Sequence, residues 1–163
     1  MSEERYEPRL FPDDAAVRRV GEGMLACAIA KEEWTHEAHL ATCLWLIVER
    51  PDICPEREIG GFIRRFNESV GGVNDETQGY HETITQCFVA GVRGCLGRMD
   101  PALPLVVKVN LLLGEPEGRR DWPLRFYSAE RLFSVEARMG FVEPDLAPIT
   151  SLVIPAKAGI SIS

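Results

Sequence analysis

Apolar residues recur at helical spacing through most of the chain, and breaks fall at proline and glycine. Val17, Val20, Met24, Leu25, Cys27 and Ala28 predict a first helix, capped at Asp13 or Asp14 and reaching about Ala30. Gly21 and Gly23 weaken it. A second helix is expected from Lys31 or Glu32 to Glu49, stopping before Pro51 because the residue ahead of a proline disfavours helical angles. From Ala38 to Val48 this segment is apolar on nearly every face, so it needs neighbours on all sides.

Pro55 suits the first turn of a third helix, with Ile59, Phe62, Ile63, Phe66 and Val70 as its buried stripe and Gly71-Gly72 as its end. A polar loop from Gly71 to Gly79 leads to a fourth helix over Tyr80 to Arg98. The segment from about Ala102 to Leu113 is rich in β-branched residues. Its length and its helical neighbours favour a fifth helix over a strand. Ser128 and Ser134 can cap short helices at 129–133 and 135–139. The pattern predicts an all-α, single-domain helical bundle of about five main helices plus short C-terminal helices, orthogonal or up-down. Its divisions are an arm at 1–12, a helical domain at 13–148 and a tail at 149–163.

Charge narrows the partners. Twenty-five acidic residues against 18 basic ones give a formal charge of −7, which argues against a nucleic-acid surface. The longest apolar run is too short to cross a bilayer. The first residues show no signal-peptide pattern, so a cytoplasmic location is expected. The five cysteines form no Cys-x-x-Cys pair and read as small core residues. There is no glycine-rich phosphate loop and no Gly-x-Ser-x-Gly elbow. A small molecule or a second copy of the chain remains as a partner.

The chemistry gathers at the three histidines. His36 and His39 lie three apart near the start of the second helix, and His81 sits near the start of the fourth. Residues at that spacing share a helix face. With one helix between, the second and fourth run parallel in an up-down bundle, so both starts meet at one end. His36, His39 and His81 are therefore candidate ligands for a divalent metal (Zn, Ni, Fe or Mn), with Glu82 as a general base or fourth ligand and Tyr80 as a proton donor. Cys43, one turn beyond His39, reads more readily as core than as ligand. Arg125, Tyr127, Arg131 and Arg138 are weaker candidates for an anion pocket.

The stretches Trp34-Thr35-His36-Glu37-Ala38-His39 and Tyr80-His81-Glu82-Thr83-Ile84-Thr85, with Tyr127-Ser128, Ala137-Arg138 and Pro144-Asp145, resemble a family of uncharacterised bacterial helical proteins. The resemblance spans most of residues 31–146. It implies a shared helical domain and supplies no reaction. A looser similarity to the DinB-like four-helix metalloproteins gives precedent for a three-histidine site in a small bundle, although those usually space the histidines differently. The tail Val153-Ile154-Pro155-Ala156-Lys157-Ala158-Gly159-Ile160 resembles the product of reading through a dispersed proteobacterial intergenic repeat. The alternative is an ordinary C-terminal strand or arm.

Three functions stay open. One is metal-assisted hydrolysis or transfer on a small molecule. Another is a non-catalytic small-molecule-binding or regulatory module using the same histidine pocket. The third is a structural or partner-binding domain whose histidines form a hydrogen-bond network. Geometry discriminates among them, since ligands at about 2.0–2.1 Å from one ion need nitrogens roughly 3–3.5 Å apart.

Overall fold

The computed structural model describes residues 7–150, and these are all-helical, with no strand among them. Five substantial helices form a bundle: α1 (Asp14–Leu25), α2 (His36–Glu49), α3 (Pro55–Ser69), α4 (Glu82–Leu96) and α5 (Leu105–Gly114). Two short helices follow, α6 (Ala129–Leu132) and α7 (Val135–Met139). The tail from Ser151 onward and the first part of the arm, residues 1–6, lie outside the described residues.

Helix α2 is the central rod. It packs against α1, α3, α4 and α5, and Leu40, Ala41, Leu44, Trp45 and Leu46 on it are nearly inaccessible. That accounts for its unbroken apolar sequence: each face meets a different neighbour. At about 25 cal/mol per Å² of apolar surface removed from water, each of these buried side chains stabilises the fold.

Helix α4 is two residues shorter at each end than expected and α5 starts at Leu105 instead of about Ala102, and two boundaries differ by more. Helix α1 ends at Leu25 instead of Ala30. Cys27 takes φ of +54°, the Cys27 N–H donates to the Met24 carbonyl, and the Ala28 N–H donates to the Gly23 carbonyl. This is a Schellman stop made without the usual glycine. Helix α2 begins at His36, after a separate 3₁₀ turn at Lys31–Glu33. Thr35 intervenes as the cap, its Oγ1 accepting from the Ala38 N–H at 3.1 Å.

After α5, a 3₁₀ turn at Pro116–Gly118 folds back on the end of that helix. A β-carbon at Gly118 would collide with the Leu112 carbonyl and the Leu113 backbone. The Gly118 peptide is thereby pressed into a fixed position. Gly60 plays a similar part on α3, where its bare Cα admits the Tyr80 hydroxyl from the start of α4. An ion pair between buried Glu56 on α3 and half-exposed Arg93 on α4 holds the same two helices together, and Gln86 Nε2 adds a bond to the Glu56 carbonyl at 2.8 Å.

Replacing Gly118 by alanine should destabilise the fold by about 1–3 kcal/mol, because its obstacle is backbone and cannot rotate away. Urea denaturation measures this. A loss under about 0.5 kcal/mol, the usual surface value, would show that the close approach is not rigid.

Candidate functional site

The starts of α2 and α4 meet at one cavity of about 430 Å³. Trp34, His36, His39, Leu40 and Cys43 line it from the α2 side. Ile59, Ile63 and Asn67 come from α3, and Tyr80, His81, Ile84, Thr85, Phe88 and Val89 from the α4 side. Arg120, beyond Gly118, completes the wall. All three histidines thus border a single space, as parallel packing of the two helices requires.

Their nitrogens do different things. His81 is the N-cap of α4: its Nδ1 accepts from the Ile84 N–H at 3.1 Å. Its Nε2 lies 2.8 Å from the Leu132 carbonyl, which can only accept, so Nε2 carries the proton. Both ring nitrogens are committed to the fold. His36 Nε2 likewise donates to the Gly118 carbonyl at 2.8 Å, and the ring meets Phe88 edge-on at 5.5 Å. His39 is different. Its ring lies over Trp34 with centroids 4.1 Å apart, and its nitrogens have no hydrogen-bond partner among the described residues.

Burial holds all three imidazoles neutral. It is the largest influence on each, lowering His36 and His81 from their ordinary value and taking His39 to about 3. The backbone bonds of His36 and His81 partly oppose this. Cys43 is pushed up to about 12 by burial, which keeps it a thiol.

The other candidates are placed as follows. Tyr80 lines the cavity, but its hydroxyl turns away to donate to Glu82 Oε2 at 3.2 Å. Burial, followed by the Glu82 charge, raises the phenol further above its ordinary value, so it keeps its proton. Glu82 lies behind Tyr80, its second oxygen accepting from Gln86 Nε2 at 2.7 Å. The remaining oxygen of Gln86, Oε1, is buried without a partner. Among the described residues no group of three or more His, Cys, Asp or Glu is arranged to hold a metal ion. His81 would have to surrender a cap or a tertiary bond to join one.

The rest of the recurrent motifs serve as ties. Thr83 Oγ1 donates to the Gly140 carbonyl at 3.0 Å and accepts from the Val142 N–H at 3.2 Å. Thr85 Oγ1 donates to the His81 carbonyl at 2.8 Å. Ser128 Oγ donates to Asp145 at 2.6 Å, and Tyr127 Oη donates to the Val142 carbonyl at 2.6 Å. Arg138 donates to the Gly79 carbonyl at 2.8 Å, and Arg131 to the Glu143 carbonyl at 2.6 Å. Arg125 sits over the Trp122 ring, 5.5 Å from its centroid. Arg131 and Arg138 therefore brace the C-terminal segment while Arg125 packs on Trp122, so the three guanidiniums are engaged at separate places. What single-sequence reasoning missed is Arg120 and the apolar wall of Ile63, Ile84 and Phe88, whose only signal was membership of helix stripes.

Two outcomes follow. His81→Ala should cost about 2–3 kcal/mol, for a lost cap and a lost buried bond. His81→Asn restores a capping oxygen and should recover about 1 kcal/mol of it in chemical denaturation. Equal losses would mean that the cap does not matter. The histidines also set an acid limit. Each is neutral in the fold below its ordinary value of 6.5, so the unfolded chain takes up protons first as the pH falls. Their stabilisation is complete above about pH 6.5 and declines from there down towards pH 3. His39→Gln should flatten that decline in urea midpoints measured across the range, and an unchanged slope would contradict the burial of the ring.

No protein-family model matches the chain, and no curated protein and no solved structure matches it, so its function is read from the geometry of the site alone.

Proposed function

We propose that this is a small-molecule-binding module whose ligand occupies the cavity between the starts of α2 and α4. The observation that carries this reading is the state of His39. It is a neutral imidazole on the wall of a largely apolar cavity, without a protein hydrogen-bond partner among the described residues. The residue is half-buried on the cavity wall, so its ring nitrogens can pair with a polar atom of whatever enters that space. The volume of about 430 Å³ falls in the range of small-molecule sites, roughly 300–1,000 Å³. An apolar body with one or two polar points of attachment is the ligand shape that such walls accept.

Metal-assisted hydrolysis is the weaker reading, since His81 has both nitrogens committed and Tyr80 and Glu82 satisfy each other. A purely structural network accounts for His81 and for the Gly118 bond of His36, yet it leaves His39 unexplained.

Thermal unfolding with a panel of small metabolites tests the reading. A ligand at a hundred times its Kd adds about 2.7 kcal/mol, a rise in Tm of roughly 5–10 °C for a chain of this size. Ile63→Trp, which fills the cavity, and His39→Leu, which removes its unpartnered polar group, should abolish the rise while keeping the helical circular dichroism. Near-stoichiometric zinc, nickel, iron or manganese in the untagged protein, with a Tm that falls on chelation, would favour the metal reading instead.

A further inference from the structure

The charge on the cavity wall itself is one-sided. Among the described residues no aspartate or glutamate lines it, and the single charged side chain on its wall is Arg120. Arg120, Trp34 and His36 also line an adjoining polar cleft with Glu7, Arg9 and Glu37, which places the arginine at the mouth. Its sequence neighbour Arg119 is bound to Asp121 through Nε at 2.9 Å. Arg120 itself forms no ion pair or hydrogen bond among the described residues. Across the cleft, Glu37 Oε2 accepts from the Arg9 backbone N–H at 3.4 Å.

Resting on the reading of the cavity as a ligand site, we propose that its ligand is a small amphipathic monocarboxylic acid. The apolar body lies against Ile59, Ile63, Ile84 and Phe88, and the carboxylate meets the Arg120 guanidinium at the mouth. Three features select this class. On the cavity wall, among the described residues, the neutral imidazoles leave a single positive charge, which matches a monoanion better than a phosphate monoester or a dicarboxylate. A guanidinium presents parallel N–H donors that fit a carboxylate in two-pronged fashion. The walls offer too few donors and acceptors for a sugar, whose many hydroxyls would lose water without replacement. Inside, His39 supplies one donor and one acceptor to any polar atom in the body of the ligand.

The test uses the full chain and matched probes: 3-phenylpropanoate, indole-3-acetate and octanoate, each beside its primary amide. Titration calorimetry, with tryptophan fluorescence as a second readout because Trp34 lines the cavity, should show at least one acid binding about five- to twentyfold more tightly than its amide. Arg120→Gln should bring that ratio to about one and leave the Tm of the ligand-free protein unchanged, since the side chain is exposed. Ile63→Trp should weaken acid and amide alike. Equal binding of acid and amide to the unaltered protein, both lost in Ile63→Trp, would overturn the monocarboxylate assignment and leave the cavity as a ligand site. An acid preference that survives Arg120→Gln would also overturn it. No binding of any of the six compounds, together with no response to the metabolite panel, would overturn both readings.

Discussion

The His81 imidazole is the constraint on which the architecture at this end depends. One ring joins three things that are distant in sequence: the first turn of α4, the Leu132 carbonyl 51 residues away, and the wall of the cavity. It does so only as the neutral tautomer with its proton on Nε2, because Nδ1 must accept and Nε2 must donate. Burial maintains that state by disfavouring the imidazolium. With Thr83 bound to the Gly140 carbonyl and Arg138 bound to the Gly79 carbonyl, it seats the C-terminal segment across the start of α4. The segment also packs through Tyr127, Leu132 and Ala137, which are buried, with Cys87 of α4 joining the first two in one cluster, and the directional ties fix how that packing is seated.

The same end of the bundle shows a division of labour. His36 anchors the turn after α5 through Gly118, and His81 anchors the end of α6 through Leu132. Two segments are thus held by two imidazoles at two helix starts. His39, one turn inside α2, is held by neither segment and stacks on Trp34. The structural histidines shape the cavity that the third one faces. Equivalence in sequence concealed this difference, since a histidine's role depends on where each nitrogen finds a partner.

Much of the fold was legible. The 3.6-residue period, Pro55 at the start of α3, Gly71 beyond its end and the serine caps at 128 and 134 all act over a few residues, and each appears in place. The shared end of α2 and α4 followed from counting helices. The stop of α1 was not legible, because a cysteine with positive φ leaves no sequence mark of the kind a glycine would. Nor was the start of α2, where Thr35 outcompetes the upstream residues as cap. The grouping of Arg125, Arg131 and Arg138 dissolved into a contact with the Trp122 ring and two separate backbone ties that no spacing rule describes.

By itself the sequence determined that the described residues are all-helical, that α2 is surrounded, and that the three histidines gather where two helices begin. These are local or periodic properties, governed by backbone sterics, caps and apolar spacing. Only the tertiary structure decided what the histidines do. Contacts with Gly118 and Leu132, 82 and 51 residues away, occupied Nε2 of His36 and of His81. The Ile84 N–H, three residues on, occupied Nδ1 of His81, and Arg120 came to the mouth of the remaining space. A hydrogen bond is directional and each ring nitrogen has one partner at most, so the atoms left for a ligand emerge only after every long-range contact is in place.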